Sequence, residues 1–144
     1  MAVTRLKDFD KVYCVIDRDH HENFDEALLL ADEKGIKVIV SYPCYEFWLL
    51  LHFRFTRAPY AAAGKMSAGD SLVKELRQEL GMGNYQKGHD YNIFSSLVSQ
   101  LPEARSRARQ VMSQARNEDE LNPSTQLHEL IDALESLGTL RPAE

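Results

Sequence analysis

The chain has 144 residues, 44% of them hydrophobic, with 17 basic and 22 acidic side chains and a formal net charge of −5. That is enough apolar material for one globular unit with a true core, and the acidic balance excludes broad attraction of nucleic acid by the average field, though not by a local basic strip. The longest apolar run, Phe47 to Leu51, is far shorter than the roughly 18 residues a membrane span needs, and no leader pattern precedes it. A cytoplasmic protein with no membrane partner is expected, and residues 1–144 are read as one domain.

Residues 1–11 are polar and mixed, with Leu6 and Phe9 as packing groups, and carry no strand signal. Val12-Tyr13-Cys14-Val15-Ile16 is short, β-branched and aromatic, and stops at Asp17-Arg18-Asp19, whose charges cannot continue a buried strand. The acids therefore stand at a strand's carboxyl end. Asn23 is placed to cap a helix, with Glu26 as its capping-box partner and Ala27, Leu28, Leu30 and Ala31 as its apolar stripe, and Gly35 stops it. Ile36-Lys37-Val38-Ile39-Val40 is a second strand, so residues 12–41 form a right-handed parallel β-α-β unit. Two strands alone make too small a parallel sheet, so a further strand, upstream or from another subunit, is expected.

Pro43 suits a first helical turn, and residues 43–53 are apolar on nearly every side, a buried helix with Glu46 near its start. Residues 54–67 read as a mobile connection. Ser67-x-x-Asp70 opens a helix on Leu72, Val73, Leu76 and Leu80, ended by Gly81. A glycine-rich loop through His89 follows, with no GK[ST] phosphate-loop pattern. Asp90 is a cap candidate for a helix on Ile93, Phe94, Leu97, Val98 and Leu101. Pro102 opens the next, whose apolar face is Ala104, Ala108, Val111, Met112 and Ala115 and whose other face holds Arg105, Arg107, Arg109 and Arg116. A last helix carries Leu127, Leu130, Ile131, Leu134 and Leu137 and closes at Gly138.

Two carboxylates one residue apart at a strand end are a donor pair for a hard divalent ion. At about 4 Å they repel by roughly 4 kcal/mol at an effective dielectric near 20, a penalty that a cation would remove. The motif is short, and the ordinary alternative stands beside it: either acid pairs with Arg18, caps a helix or stays hydrated. An EF-hand is excluded, since Glu22 and Leu28 occupy the positions that need glycine and glutamate. His20 and His21 read as solvated loop residues, His52 as a satisfied core histidine, and no His pair has zinc spacing. Cys14 and Cys44 read as inert buried thiols. No local signature activates a nucleophile, and the residue pattern after Asp19 does not suit an aspartyl phosphatase.

Three blocks add to this reading: Val15-Ile16-Asp17-Arg18-Asp19, the run Ser41-Tyr42-Pro43-Cys44-Tyr45-Glu46-Phe47-Trp48 continuing to Phe53, and Asn122-Pro123-Ser124-Thr125-Gln126-Leu127-His128-Glu129-Leu130. Together they resemble the RloB family, associated with restriction-modification loci and abortive phage resistance, whose core is similar to a Toprim domain. Tyr85 to Gly88 also resembles the family's Tyr-x-Lys-Gly loop. The resemblance implies an α/β Toprim-like parallel core over residues 12–55 followed by a mostly helical part over residues 68–138. It implies Mg²⁺, or Mn²⁺ in its place, held by Asp17, Asp19 and Glu46 for phosphodiester chemistry. Arg18, Lys87, Arg105 and Arg109 are the expected nucleic-acid contacts, on DNA or tRNA. Two departures stand out: Tyr42 replaces the family's asparagine before Pro43, and the family's Glu-Gly-Glu strand has no counterpart ahead of Val12. That absence implies a shortened relative or a gene start set too late, and leaves catalysis open. A non-enzymatic module that partners an ATPase or a second copy of itself is the alternative expectation.

Overall fold

The computed structural model describes residues 8–18, 21–89 and 92–138. Strand β1 (Val12–Asp17) leads through α1 (Phe24–Glu33) to β2 (Ile36–Tyr42), followed by the short α2 (Glu46–Leu50) and then α3 (Ala68–Leu76). Helix α4 (Ile93–Leu97) passes through one 3₁₀ turn into the long α5 (Leu101–Glu118), and β3 (Ser124–Thr125) precedes α6 (Leu127–Gly138). The expected α/β class, a β-α-β unit followed by a mostly helical part, is what the structure shows.

β1 and β2 pair in parallel from Val12 opposite Ile36 to Asp17 opposite Ser41. A third strand comes from downstream in the chain, where none was expected. Ser124 and Thr125 add antiparallel to the other side of β2, opposite Tyr42 and Ser41, and a buried Ser41–Thr125 hydroxyl contact of 2.8 Å joins them. Gln126 extends the ladder with its side chain, accepting from Val40 N–H at 3.0 Å while its own N–H donates to the Val40 carbonyl. Two strand residues flanked by polar ones leave no periodicity to read, which is why this segment gives no strand signal in the sequence.

The core lies on one side of the sheet. Phe47, Leu49, Leu50 and Leu51 are fully buried with Ile39, Leu72, Leu76 and Val111. The predicted face of α5 is fully recovered, since Ala104, Ala108, Val111, Met112 and Ala115 are all buried. His52 is the satisfied core histidine expected, its Nδ1 3.0 Å from the Trp48 carbonyl and its ring edge-on to Trp48.

Several expectations are corrected. The helix proposed for residues 43–53 spans only Glu46–Leu50; Pro43 lies before it, behind a cis peptide bond. Asn23 does stand at the start of α1 but makes no side-chain cap bond, and Leu29 and Leu30 of that helix are exposed. Helix α3 has the full Ser67–Asp70 capping box, yet it ends at Leu76 and leaves Leu80 93% exposed. Asn92 caps α4; Asp90 lies outside the described residues. The connection of residues 54–67 is tied down: Tyr60 is buried, its N–H donating to Asn122 and its hydroxyl to Glu75, while Arg57 donates to the Pro123 carbonyl. Cys14 is exposed on β1, and only Cys44 is buried. On α6 the stripe is half used, with Leu127 buried and Leu134 and Leu137 exposed.

Candidate functional site

The parallel pairing of β1 and β2 brings their carboxyl ends to one rim, where side chains from the following turns converge. The backbone stays tied past the end of β1, because Arg18 N–H donates to the Ser41 carbonyl at 2.8 Å. Asp17 then reaches across to the turn after β2, its Oδ1 accepting Tyr45 N–H at 2.8 Å. A single carboxylate thereby joins the two strand ends.

Glu46 is the next residue, 4% exposed. Its Oε1 accepts the Tyr85 hydroxyl at 2.8 Å, and Oε2 faces the Lys87 ammonium at 3.4 Å. Burial pushes this carboxyl up, but hydrogen bonds from the Cys44 thiol and Tyr85, with the charge of Lys87, hold it below its ordinary value. The same burial and the neighbouring Glu46 push the Cys44 thiol up to about 12 and raise Tyr85. Lys87 loses by burial yet is raised on balance by Cys44 and Glu46. The group is therefore one anion held by two neutral donors and one cation. Arg77 secures the loop that delivers them, its Nε donating to the Tyr85 carbonyl at 2.8 Å.

These side chains border a cleft of about 290 Å³ walled by Asp17, Arg18, Tyr42, Cys44 and Lys87, with Tyr60 and the start of α3 opposite. The Gly69 backbone forms part of that wall. A Cβ there would stand 3.3 Å from Lys87 Nζ and 3.5 Å from Cys44 Sγ, so a side chain would crowd the ammonium. Arg18 lies at the cleft edge with its guanidinium 4.0 Å over the Phe24 ring.

Of the residues singled out from sequence, Asp17, Arg18 and Lys87 share this cleft, and Glu46 lies behind Lys87. Asp19 lies outside the described residues. Arg105 and Arg109 do not reach the cleft: both pair with Asp132 of α6, and Arg105 also with Glu135. Among the described residues no group of three or more His, Cys, Asp or Glu side chains gathers to hold a metal ion. Sequence reasoning had Tyr85 only within the Tyr-x-Lys-Gly loop of the family resemblance and Cys44 only within the block around Pro43, with no site role for either, and it missed Gly69.

A family model described as RloB-like protein matches residues 2–134. No curated protein and no solved structure matches the chain. No described helix is long and apolar enough to cross a membrane.

Proposed function

The chain belongs to the RloB-like protein family, and on that premise we propose that it is a Toprim-like, metal-dependent nuclease-type domain of a bacterial phage-defence protein. What supports this reading is the cleft at the shared rim of β1 and β2, with an acid, Asp17, on one wall and two cations, Arg18 and Lys87, beside it. Hard carboxylate oxygens are the donors that Mg²⁺ takes. Asp17 fits by chemistry and place; Glu46 is committed to Tyr85 and Lys87 in this arrangement, so it would serve a metal only in exchange for Lys87. Asp17, Asp19 and Glu46 are thus the proposed holders, and the bound ion would supply charge stabilisation at a phosphate oxygen. The chain's own residues position the substrate: Arg18 and Lys87 face its phosphates, while hydrogen bonds from Cys44 and Tyr85 favour the ionised form of Glu46.

Nuclease assay on DNA and on tRNA with Mg²⁺ or Mn²⁺ tests this, comparing wild type with Asp17→Ala/Asp19→Ala. Cleavage by the wild type alone is expected. Equal cleavage by both removes the pair from the mechanism.

A second reading, an interaction module for an ATPase partner or a second copy, draws on the flank of the sheet. Among the described residues β1 is an edge strand, and its Cys14 and Val15 are exposed, Val15 at 49%. A single monomeric species in solution, with no ATPase recovered by pull-down, would count against it.

A further inference from the structure

Beyond the cleft, the surface holds further cavities, and the way they adjoin is informative. A cavity of about 470 Å³ between α1, β2 and the end of α5 shares Arg18 and Tyr42 with the cleft. A third, of about 290 Å³, shares Arg116 and Met112 with the second and is lined by Arg109, Ser113 and His128. A further cavity of about 420 Å³, bearing Lys74 and Arg77, shares Lys87 with the cleft. Each of the three thresholds between neighbouring cavities therefore carries one cationic side chain: Lys87, Arg18 and Arg116.

We infer that these cavities form one trough for a single nucleic-acid strand, with phosphates at the thresholds and unstacked bases in the cavities between them. The inference rests on the proposed nuclease reading of the cleft and extends it to the substrate's form. The thresholds have the chemistry a strand requires. Arg18 has its guanidinium carbon 4.0 Å over the Phe24 ring and lines the cleft with Tyr42, guanidinium and aromatic groups being those on which bases stack. Arg116 is 62% exposed and meets Glu129 only at 3.5 Å, so it can turn to a phosphate. His128 lines the far cavity. Asp25 and Asp119 also line the largest cavity, so attraction arises at the thresholds rather than from summed charge. Separate cups fit splayed bases, whereas a duplex keeps its bases stacked inside.

The test is fluorescence anisotropy without divalent metal, using labelled single-stranded oligothymidylates of about 3 and about 12 nucleotides, the first below and the second within the common range of single-strand site sizes. Wild type, Arg116→Ala and Lys87→Ala are titrated at several salt concentrations, with a duplex of the longer length alongside. The trough predicts that Arg116→Ala lowers the salt slope for the longer probe by about 1 and leaves the shorter probe unchanged, while Lys87→Ala weakens both. No effect of Arg116→Ala on the longer probe, equal effects on both probes, or tighter binding of the duplex overturns the trough. Those outcomes leave the cleft reading standing, because its test is metal uptake and cleavage at Asp17. Failure of either probe to bind the wild type removes the trough as well.

Discussion

Lys87 Nζ stands 3.4 Å from Oε2 of Glu46, in an ion pair whose acid side chain is 6% exposed and whose base is 48% exposed. The acid is thus fixed from within the protein, and the base is held at the cleft by an anchor the solvent barely reaches. Such a pair acts more through position than through net stabilisation, since desolvation offsets much of its Coulomb gain.

Glu46 makes the fold sensitive to acid. Burial raises its carboxyl, but Cys44, Tyr85 and Lys87 together bring it below the ordinary value. A depressed folded pKa contributes stability above the unfolded value of 4.5, and that contribution is lost as pH falls through the folded value. Urea midpoints measured from neutral to acid pH are expected to fall along this limb. Glu46→Gln flattens the limb and costs about 1–3 kcal/mol at neutral pH, because Lys87 loses its countercharge.

Gly69 is expected to set where Lys87 rests. Gly69→Val places carbon where the ammonium and the Cys44 sulfur already are, and the flexible lysine end is what yields. The Glu46 carboxyl, followed by NMR titration, is then expected to titrate at higher pH than in the wild type while the thermal midpoint shifts little. An unchanged Glu46 titration would show that Lys87 does not depend on Gly69.

The two thiols are expected to behave oppositely. Cys14 is exposed, whereas Cys44 is buried and its thiol is pushed up to about 12 by burial and by Glu46. A disulfide reagent applied to the native protein modifies Cys14 and leaves Cys44 until the chain is unfolded. Two fast-reacting thiols in the native state would contradict the burial of Cys44.

Packing along α5 is tight, with Ala104, Ala108 and Ala115 completely buried. Ala108→Leu is expected to destabilise by about 1–3 kcal/mol through overpacking. Leu80→Asn, at a side chain 93% exposed, is expected to stay within about 0.5 kcal/mol. Denaturant melts of the two variants separate a crowded helix face from a bare one.

How much of this was legible follows from what each segment had to say. β1, β2 and the buried face of α5 announce themselves by continuous β-branched runs and by small apolar residues at helical spacing. β3 does not, because two residues carry no period and Gln126 pairs through a side chain. Leu80, Leu134 and Leu137 fit helical stripes yet stay exposed among the described residues, since periodicity records what a helix offers and not what lies opposite. Within the site, Asp17 was visible from the abrupt end of an apolar strand. Gly69 was not, and Tyr85 and Cys44 stood in family-like blocks without a role, because what they do arises only when the loop after α3 folds back over Glu46. Arg105 and Arg109 looked available for phosphate until α6 supplied Asp132.

The most direct measurement is isothermal titration of Mg²⁺ into the wild-type chain and into Asp17→Ala/Asp19→Ala. Saturable uptake by the wild type that disappears in the double variant is predicted. No uptake by the wild type, or uptake that the double variant retains, would contradict a magnesium site at the rim of β1 and β2.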